Sequence, residues 1–266
     1  VLFRSVLKEN TTLTELYLYS NGIGSIGAQS LSEALKTNTT LKKLNLGFNK
    51  IGESGTKALC EAMDKNTTIV QLNLEICGFG DIGTIGLSKS LKTNKSLVEL
   101  YLGLNAIGDS GIKALSEALK SNTTLTTLDI WDNNISDVGT TSLGEALKTN
   151  STLLKLNLSH NEITDTGAIS LGEALKANTT LTELCLWDNN IEDSGGKVLS
   201  DALSTNTTLT SLDIESNEIN VVYRITITDA LRRNKNARPK PPPKNVEEVV
   251  VEPELDRSEE RRVGKE

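Results

Sequence analysis

Apolar residues recur in this chain with two alternating spacings, and the alternation repeats every 28 residues. In the copy that opens at Asn10, Leu16 and Leu18 alternate with exposed residue types, which is the period of a short strand with one apolar face. Later in each copy the apolar residues follow at helical spacing, as at Leu143, Ala146 and Leu147. The pattern therefore predicts one strand and one helix in every copy.

The unit occurs eight times without an insertion or a deletion, and each copy opens with an asparagine: Asn10, Asn38, Asn66, Asn94, Asn122, Asn150, Asn178 and Asn206. A fixed period of this length is typical of a solenoid, in which a unit too small to bury its own apolar face stacks on its neighbours. We therefore predict one elongated domain over residues 6–234, with the strands side by side in one parallel sheet.

Polar residues at fixed positions predict how strand and helix are connected. Asn21 ends the first strand, where its side-chain amide can satisfy backbone groups of a tight, buried turn. Asn150 and Asn178 each follow a helix, where a left-handed C-cap residue is expected. Helix N-caps are predicted at the aspartates that precede a glycine by two residues, namely Asp109, Asp137, Asp165 and Asp193.

The spacing LxxLxLxxNxI, seen from Leu13 to Ile23, resembles that of leucine-rich repeats, and the 28-residue length with a full helix resembles their ribonuclease-inhibitor subtype. The resemblance implies a horseshoe with a parallel sheet on the concave side and helices on the convex side. The N[TS]TL opening is common in the repeat regions of NOD-like receptors and is similar to repeats of Ran GTPase-activating proteins. Two copies depart from the pattern, since Cys77 replaces a turn asparagine and Tyr223 replaces a recurrent glycine.

Composition narrows the function classes. The net charge of −7 argues against a nucleic-acid partner, and no apolar run is long enough to cross a membrane. The cysteines Cys60, Cys77 and Cys185 are odd in number and lie at three different repeat positions, which favours a reducing compartment and a cytoplasmic protein over a disulfide framework.

Both ends of the chain differ from the repeats. Residues 1–5 and 257–266 resemble translated sequencing adapters, so we expect neither segment to be native and the chain to be a fragment of a larger protein. All five prolines lie at Pro239 or beyond. Residues 235–256, which are proline-rich and then acidic, are therefore expected to form a disordered tail outside the repeats.

Candidate binding residues lie on the exposed face of the predicted sheet. Equivalent residues of adjacent strands form rows, and two of these rows carry both tryptophans and three of the four tyrosines. Tryptophan and tyrosine are frequent interface hot spots. The candidate residues on or beside these rows are Tyr17, Tyr19, Tyr101, Asp129, Trp131, Asp132, Cys185, Trp187, Asp188 and Asp213.

Four aspartates surround the two tryptophans, so we expect a protein partner with a basic, partly apolar patch that docks around Trp131 and Trp187. The alternative is that these rings only pack across strands and stiffen the sheet.

Other chemistry finds little support in the sequence. Every opening asparagine carries the N-x-[ST] glycosylation pattern, but a capping role explains the same residues. His160 is the only histidine, so a catalytic triad could use no other base, and with no nucleophile placed by motif we interpret it as a surface residue. One histidine and scattered cysteines cannot supply a standard zinc cluster. We predict no catalytic residue, no metal and no cofactor.

The sequence thus predicts a non-enzymatic interaction module similar to the repeat region of a NOD-like receptor. Three alternatives remain open: a regulator similar to Ran GTPase-activating proteins, an actin-binding structural protein similar to tropomodulin, and a secreted receptor ectodomain.

Overall fold

The computed structural model describes residues 2–237, with side chains from Ser5 onward. Residues 235–237, which the sequence assigned to the disordered tail, are helical and belong to the last helix, Val221–Ala237. The rest of the predicted tail and the segment 257–266 lie outside the described residues. Eight strands form one parallel sheet in chain order, each three residues long. They are β1 Glu15–Tyr17, β2 Lys43–Asn45, β3 Gln71–Asn73, β4 Glu99–Tyr101, β5 Thr127–Asp129, β6 Lys155–Asn157, β7 Glu183–Cys185 and β8 Ser211–Asp213.

Helices alternate with the strands. They are α1 Leu2–Glu9, α2 Ser25–Leu35, α3 Gly52–Lys65, α4 Gly80–Leu91, α5 Asp109–Leu119, α6 Asp137–Leu147, α7 Asp165–Ala177, α8 Asp193–Thr205 and α9 Val221–Ala237. Each strand pairs with the next at a shift of 28 residues, as in Leu128↔Leu156. The predicted solenoid and its register are confirmed.

The core lies between the sheet and the helices. The inward leucines of the strands, such as Leu128 and Leu156, are almost fully buried, and so are the helix residues Leu143, Ala146 and Leu147. Adjacent strands lie about 4.8 Å apart whereas packed helices need about 8–10 Å, so the sheet side is the shorter one. The sheet therefore lines the concave face.

The turn asparagines bond the backbone of their own turn, as the sequence predicts. Asn21 is exposed rather than buried, and its amide donates to the carbonyl of Tyr19 at 2.9 Å. The later turn asparagines are buried and also join neighbouring repeats, which the sequence did not predict. The side-chain amide of Asn133 donates to the carbonyls of Leu102 and Ile130, at 3.2 and 3.0 Å. Its carbonyl oxygen accepts from the backbone N–H groups of Asn105 and Ile107. Cys77 takes this place in the third repeat, where its thiol donates to the carbonyl of Leu46. These bonds fix the stacking of one repeat on the next.

The left-handed conformation predicted for the opening asparagines is wrong. Asn178 has φ −76° and ψ 126°, which is extended backbone. Its side-chain amide donates to the carbonyls of Leu147 and Asn150 in the preceding repeat, and its oxygen accepts from the N–H groups of Thr180 and Leu181. The side-chain amide of Asn178 therefore links neighbouring repeats, and the residue does not need a left-handed backbone for this.

The predicted N-caps are also wrong, because each aspartate is the first residue of its helix and caps the helix of the following repeat. Asp137 accepts from the backbone N–H groups of Thr164 and Gly167, both at 2.9 Å, and Thr164 is the N-cap residue of α7. The correction applies to Asp109, Asp137, Asp165 and Asp193, whose helices have the N-cap residues Gly108, Ser136, Thr164 and Glu192.

This cross-repeat cap explains the recurrent glycine. A Cβ on Gly167 would lie 2.7 Å from the carboxylate of Asp137, so only glycine leaves room for the bond. Tyr223 stands at that position in the last repeat, and there Asp193 bonds only the backbone N–H of Asn220. The degenerate last repeat has therefore lost half of the backbone cap.

Helix α9 closes the C-terminal end of the described solenoid. Arg224 donates through Nε to the carbonyl of Ile219. The equivalent carbonyl one repeat earlier, that of Ile191, accepts from a backbone N–H of the next repeat. Arg233 donates to the carbonyl of Leu203, and the buried Asn234 donates to that of Asn206. Within residues 2–237, no helix is both long and apolar enough to span a membrane.

Candidate functional site

Most of the predicted binding residues lie on the C-terminal part of the concave face. Trp187 is 37% exposed and Trp131 is half-buried, two repeats away. Asp129 lies beside Trp131 and accepts a hydrogen bond from its backbone N–H at 3.2 Å. Neither indole lies in the leucine core, so the sequence prediction that both face the concave side is compatible with the fold.

Trp131 is fixed by two residues of the preceding repeats. Its Nε1–H donates to a carboxylate oxygen of Glu75 at 3.0 Å, across the intervening strand. That path crosses Gly103, where an added Cβ would collide with the indole atoms Nε1, Cδ1 and Cε2. Trp131 therefore lies over the glycine in one defined orientation.

His160 connects the two tryptophans. Its ring meets that of Trp187 edge-on at 4.3 Å between centroids and lies 6.4 Å from the ring of Trp131. Its Nδ1 donates to the carboxylate of Asp188 at 2.5 Å. We call Trp131, His160 and Trp187 the tryptophan row. Sequence reasoning treated His160 as a surface residue, although its place beside the two aromatic rows was the signal for this role.

A shallow cavity of about 330 Å³ lies on the sheet next to this row. Asp129, Cys185 and Asp213 line it, together with the ion pair of Lys155 and Glu183. Burial raises the pKa of Asp129 above the ordinary aspartate value, although bonds from Asn157 and the Trp131 backbone favour the charged form. The cavity thus brings together three of the predicted residues.

The predicted tyrosines are less closely associated with the tryptophans. Tyr17 and Tyr19 are more than half exposed and lie in the first repeat, four repeats away from Trp131. Tyr19 stacks on Phe48 at 5.7 Å. Tyr101 donates its hydroxyl to Glu99, and burial together with this carboxylate raises the pKa of the phenol. Asp132 adopts a left-handed turn conformation with φ 48° beside Trp131.

The concave face is acidic. Its two lysines, Lys43 and Lys155, are already paired with Glu15 and Glu183 at 2.8 and 3.0 Å. Glu215, another carboxylate at a sheet position, is paired with Arg224 at 2.8 Å. The carboxylates at sheet positions that have no such ion pair are Glu75, which the sequence prediction omitted, Glu99, Asp129 and Asp213. The surface around the tryptophan row therefore suits a cationic partner.

The cysteines form no disulfide among the described residues. Burial raises the pKa of the Cys60 thiol to about 12 and that of Cys77 to about 11. No group of three or more potential metal ligands occurs in residues 2–237. A larger cavity of about 520 Å³ lies between α3 and α4 on the helical side, and no predicted binding residue lines it.

Comparison with known proteins supports this architecture. A profile described as Leucine Rich repeat matches residues 9–32, 37–60, 93–116, 121–144, 149–172, 177–200 and 205–221, more than half of the chain. The unmatched interval between 60 and 93 holds the atypical turn at Cys77. No curated protein sequence matches the chain.

Solved structures that are similar to this chain include one of leiomodin-1 and one of tropomodulin. Leiomodin-1 actin-binding site 2 is 25% identical, with a TM-score of 0.52, and the alignment covers 58% of this chain and 89% of that one. The tropomodulin C-terminal domain of Caenorhabditis elegans is 14% identical, with a TM-score of 0.37, over 88% of this chain and 92% of that one. From the profile match and the in-register parallel sheet, we conclude that the chain belongs to the leucine-rich repeat family.

Proposed function

We propose that this chain is a non-enzymatic interaction domain whose concave face binds a protein partner with a basic, partly apolar patch. The observation that carries the proposal is the tryptophan row, in which two indoles are held in place by His160 and Glu75 on an acidic surface. Preorganised aromatic side chains lose little conformational entropy on binding, so they are effective anchors.

The resemblance of the repeat openings to NOD-like receptors supports a recognition role in the cytoplasm, within a larger protein. The unpaired cysteines agree with a reducing compartment. Ring packing across strands, the structural alternative, accounts for the contact of His160 with Trp187. It also accounts for the position of Trp131 over Gly103, but it does not explain why Trp187 leaves 37% of its surface exposed on the acidic face.

Single substitutions test this proposal. Trp131→Ala and Trp187→Ala should each weaken binding of a partner isolated with the parent chain by about tenfold or more, which is typical of hot-spot residues. Ile82→Ala is the matched control, because Ile82 is 72% exposed but lies on α4, on the helical side. Parent-like affinity of both tryptophan variants, measured by calorimetry, would refute the proposal.

Actin binding is the second candidate, and the similarity to the leiomodin-1 actin-binding site favours it. Cosedimentation of the chain with filamentous actin tests it directly. Binding that the two tryptophan substitutions abolish would identify actin as the partner of the concave face. A chain that stays in the supernatant at concentrations of actin well above the micromolar range would exclude this candidate.

A further inference from the structure

Three exposed or half-exposed apolar residues form a second row on the concave rim. Phe48, Ile76 and Leu104 occupy the same position in the second, third and fourth repeats, directly before the turn asparagine or its substitute. Phe48 is 51% exposed, and the other two are half-buried. We call these three residues the apolar rim.

The backbone at this position is unfavourable for such residues. Phe48, Ile76 and Leu104 have φ values of 58°, 55° and 54°, in the left-handed region. Asparagine, aspartate and histidine tolerate that region, whereas bulky and β-branched residues rarely adopt it, at a cost of about 1–3 kcal/mol. Other repeats use the tolerant types here, as at Asp132, His160 and Asp188. The cost at Phe48 is not offset by burial in the core.

The apolar rim lies between Tyr19, on its N-terminal side, and the tryptophan row, on its C-terminal side. Tyr19 stacks on Phe48 at its N-terminal end. At the other end, the backbone N–H of Leu104 donates to the carbonyl of Trp131, the first residue of the tryptophan row. Each of the first seven repeats thus contributes one large side chain. We call this surface the ridge, and its residues are Tyr19, Phe48, Ile76, Leu104, Trp131, His160 and Trp187. In each repeat the neighbouring position is small or polar, as Gly47 is beside Phe48 and Asp132 is beside Trp131.

The spacing of the ridge fits one kind of partner. The backbone positions that carry its side chains recur once per strand, about every 4.8 Å, over a length of about 29 Å. An α-helix presents one side chain on the same face about every 5.4 Å, and about 20 residues span 30 Å. The helix therefore drifts by about 0.6 Å per repeat and stays within half a strand spacing over about four repeats. An extended strand presents same-side residues only about every 6.6 Å, which falls out of step after two repeats.

We propose that the ridge binds an amphipathic α-helix of the partner, laid along the solenoid axis, with one apolar residue per turn and basic residues beside the apolar stripe. The basic residues would face the carboxylates next to the ridge, among them Glu75 and Asp129. This inference rests on the proposed function, because the tryptophan row forms the C-terminal part of the ridge.

Two synthetic peptides of identical leucine and lysine content test the partner's conformation. Both are about 20 residues long; in one, leucine recurs at helical spacing, and in the other leucine and lysine alternate. The first should bind the full chain at least tenfold more tightly in fluorescence anisotropy at constant salt. Equal affinities, or no binding by the helical peptide, would overturn the proposal.

Substitutions in the apolar rim test its position. Ile76→Asn and Leu104→Asn replace apolar residues with one that tolerates left-handed backbone. We expect thermal stability to stay the same or rise, while affinity for the helical peptide falls about tenfold; Ile82→Ala again serves as the control. If these variants bind like the parent and Trp131→Ala does not, the ridge inference fails and the proposed function stands. If Trp131→Ala and Trp187→Ala also bind the isolated partner like the parent, both fail.

Discussion

The indole of Trp131 lies over Gly103, and its Nε1–H reaches the carboxylate of Glu75 at 3.0 Å on the far side of that glycine. Three consecutive repeats thus cooperate to orient one side chain. Without a Cβ at residue 103, the ring can rest on the backbone of the neighbouring strand. A surface residue that is held in this way has little side-chain freedom left to lose on contact with another molecule.

The first prediction concerns that glycine. Gly103→Ala should push the indole off the strand and break its bond to Glu75, because the added Cβ would occupy the position of the ring. Tryptophan fluorescence should shift to the red as the ring becomes more exposed. In Gly47→Ala, the matched control, the added Cβ meets Tyr19 and no tryptophan, so the tryptophan spectrum should not change. An unchanged spectrum of Gly103→Ala would contradict the described orientation.

The second prediction concerns the caps between repeats. Asp137→Ala removes two backbone bonds and one from the hydroxyl of Thr164, and should lower the unfolding free energy by about 1–2 kcal/mol. Asp193→Ala removes a single backbone bond to Asn220 and should cost less. Urea denaturation of both variants measures the difference. Equal losses would mean that the aspartates do not act across repeats.

The third prediction is a pH dependence at Asp129. Burial raises the pKa of this carboxyl in the folded chain, so the folded state holds the proton more tightly than the unfolded state. The resulting stabilisation is present below the ordinary aspartate pKa of about 3.9 and is lost as the pH rises through the folded value. Asp129→Asn should therefore be more stable than the parent at pH 7.

This advantage should disappear in acid, below the unfolded pKa of Asp129. Thermal melts of Asp129→Asn and of the parent at pH 7 and pH 3 measure it. A variant that is less stable than the parent at pH 7 would contradict the assignment of burial as the main cause of the raised pKa.

The fourth prediction ranks the thiols. Cys185 is partly exposed on β7, whereas Cys60 and Cys77 are buried and their pKa values are raised to about 12 and 11. Iodoacetamide at pH 8 should label Cys185 first in the native chain, because it reacts with accessible thiolates. Mass spectrometry after denaturation should find all three labelled. Native labelling of Cys60 as fast as Cys185 would show that α3 opens readily.

The fold could be predicted because periodicity alone specifies it. Leucines at alternating and then helical spacing place Leu128 and Leu143 in one core, and a constant period forces an in-register sheet. The caps could not be assigned in the same way. An aspartate that caps its own helix and one that caps the next helix leave the same pattern when every repeat is alike, so Asp137 could be read either way.

The candidate site was predictable in part. Row positions placed Trp131 and Trp187 on the concave side, because neighbouring strands align equivalent residues. The contacts that orient them depend on side-chain direction, which periodicity does not specify, so Glu75 and His160 were missed. The apolar rim occupies the position before the turn asparagine in two repeats and before Cys77 in a third, a pattern that the sequence prediction did not use. The structure adds that the backbone there is left-handed, a conformation that disfavours a β-branched residue such as Ile76.

The most direct test of the account uses the two indole N–H signals in a proton–nitrogen NMR spectrum of the full chain, since the protein contains two tryptophans. The helical leucine–lysine peptide should shift both signals, with the same dissociation constant as anisotropy gives. Binding of that peptide, or of an isolated partner, while both indole signals stay in place would show that the concave tryptophan row is not the binding surface.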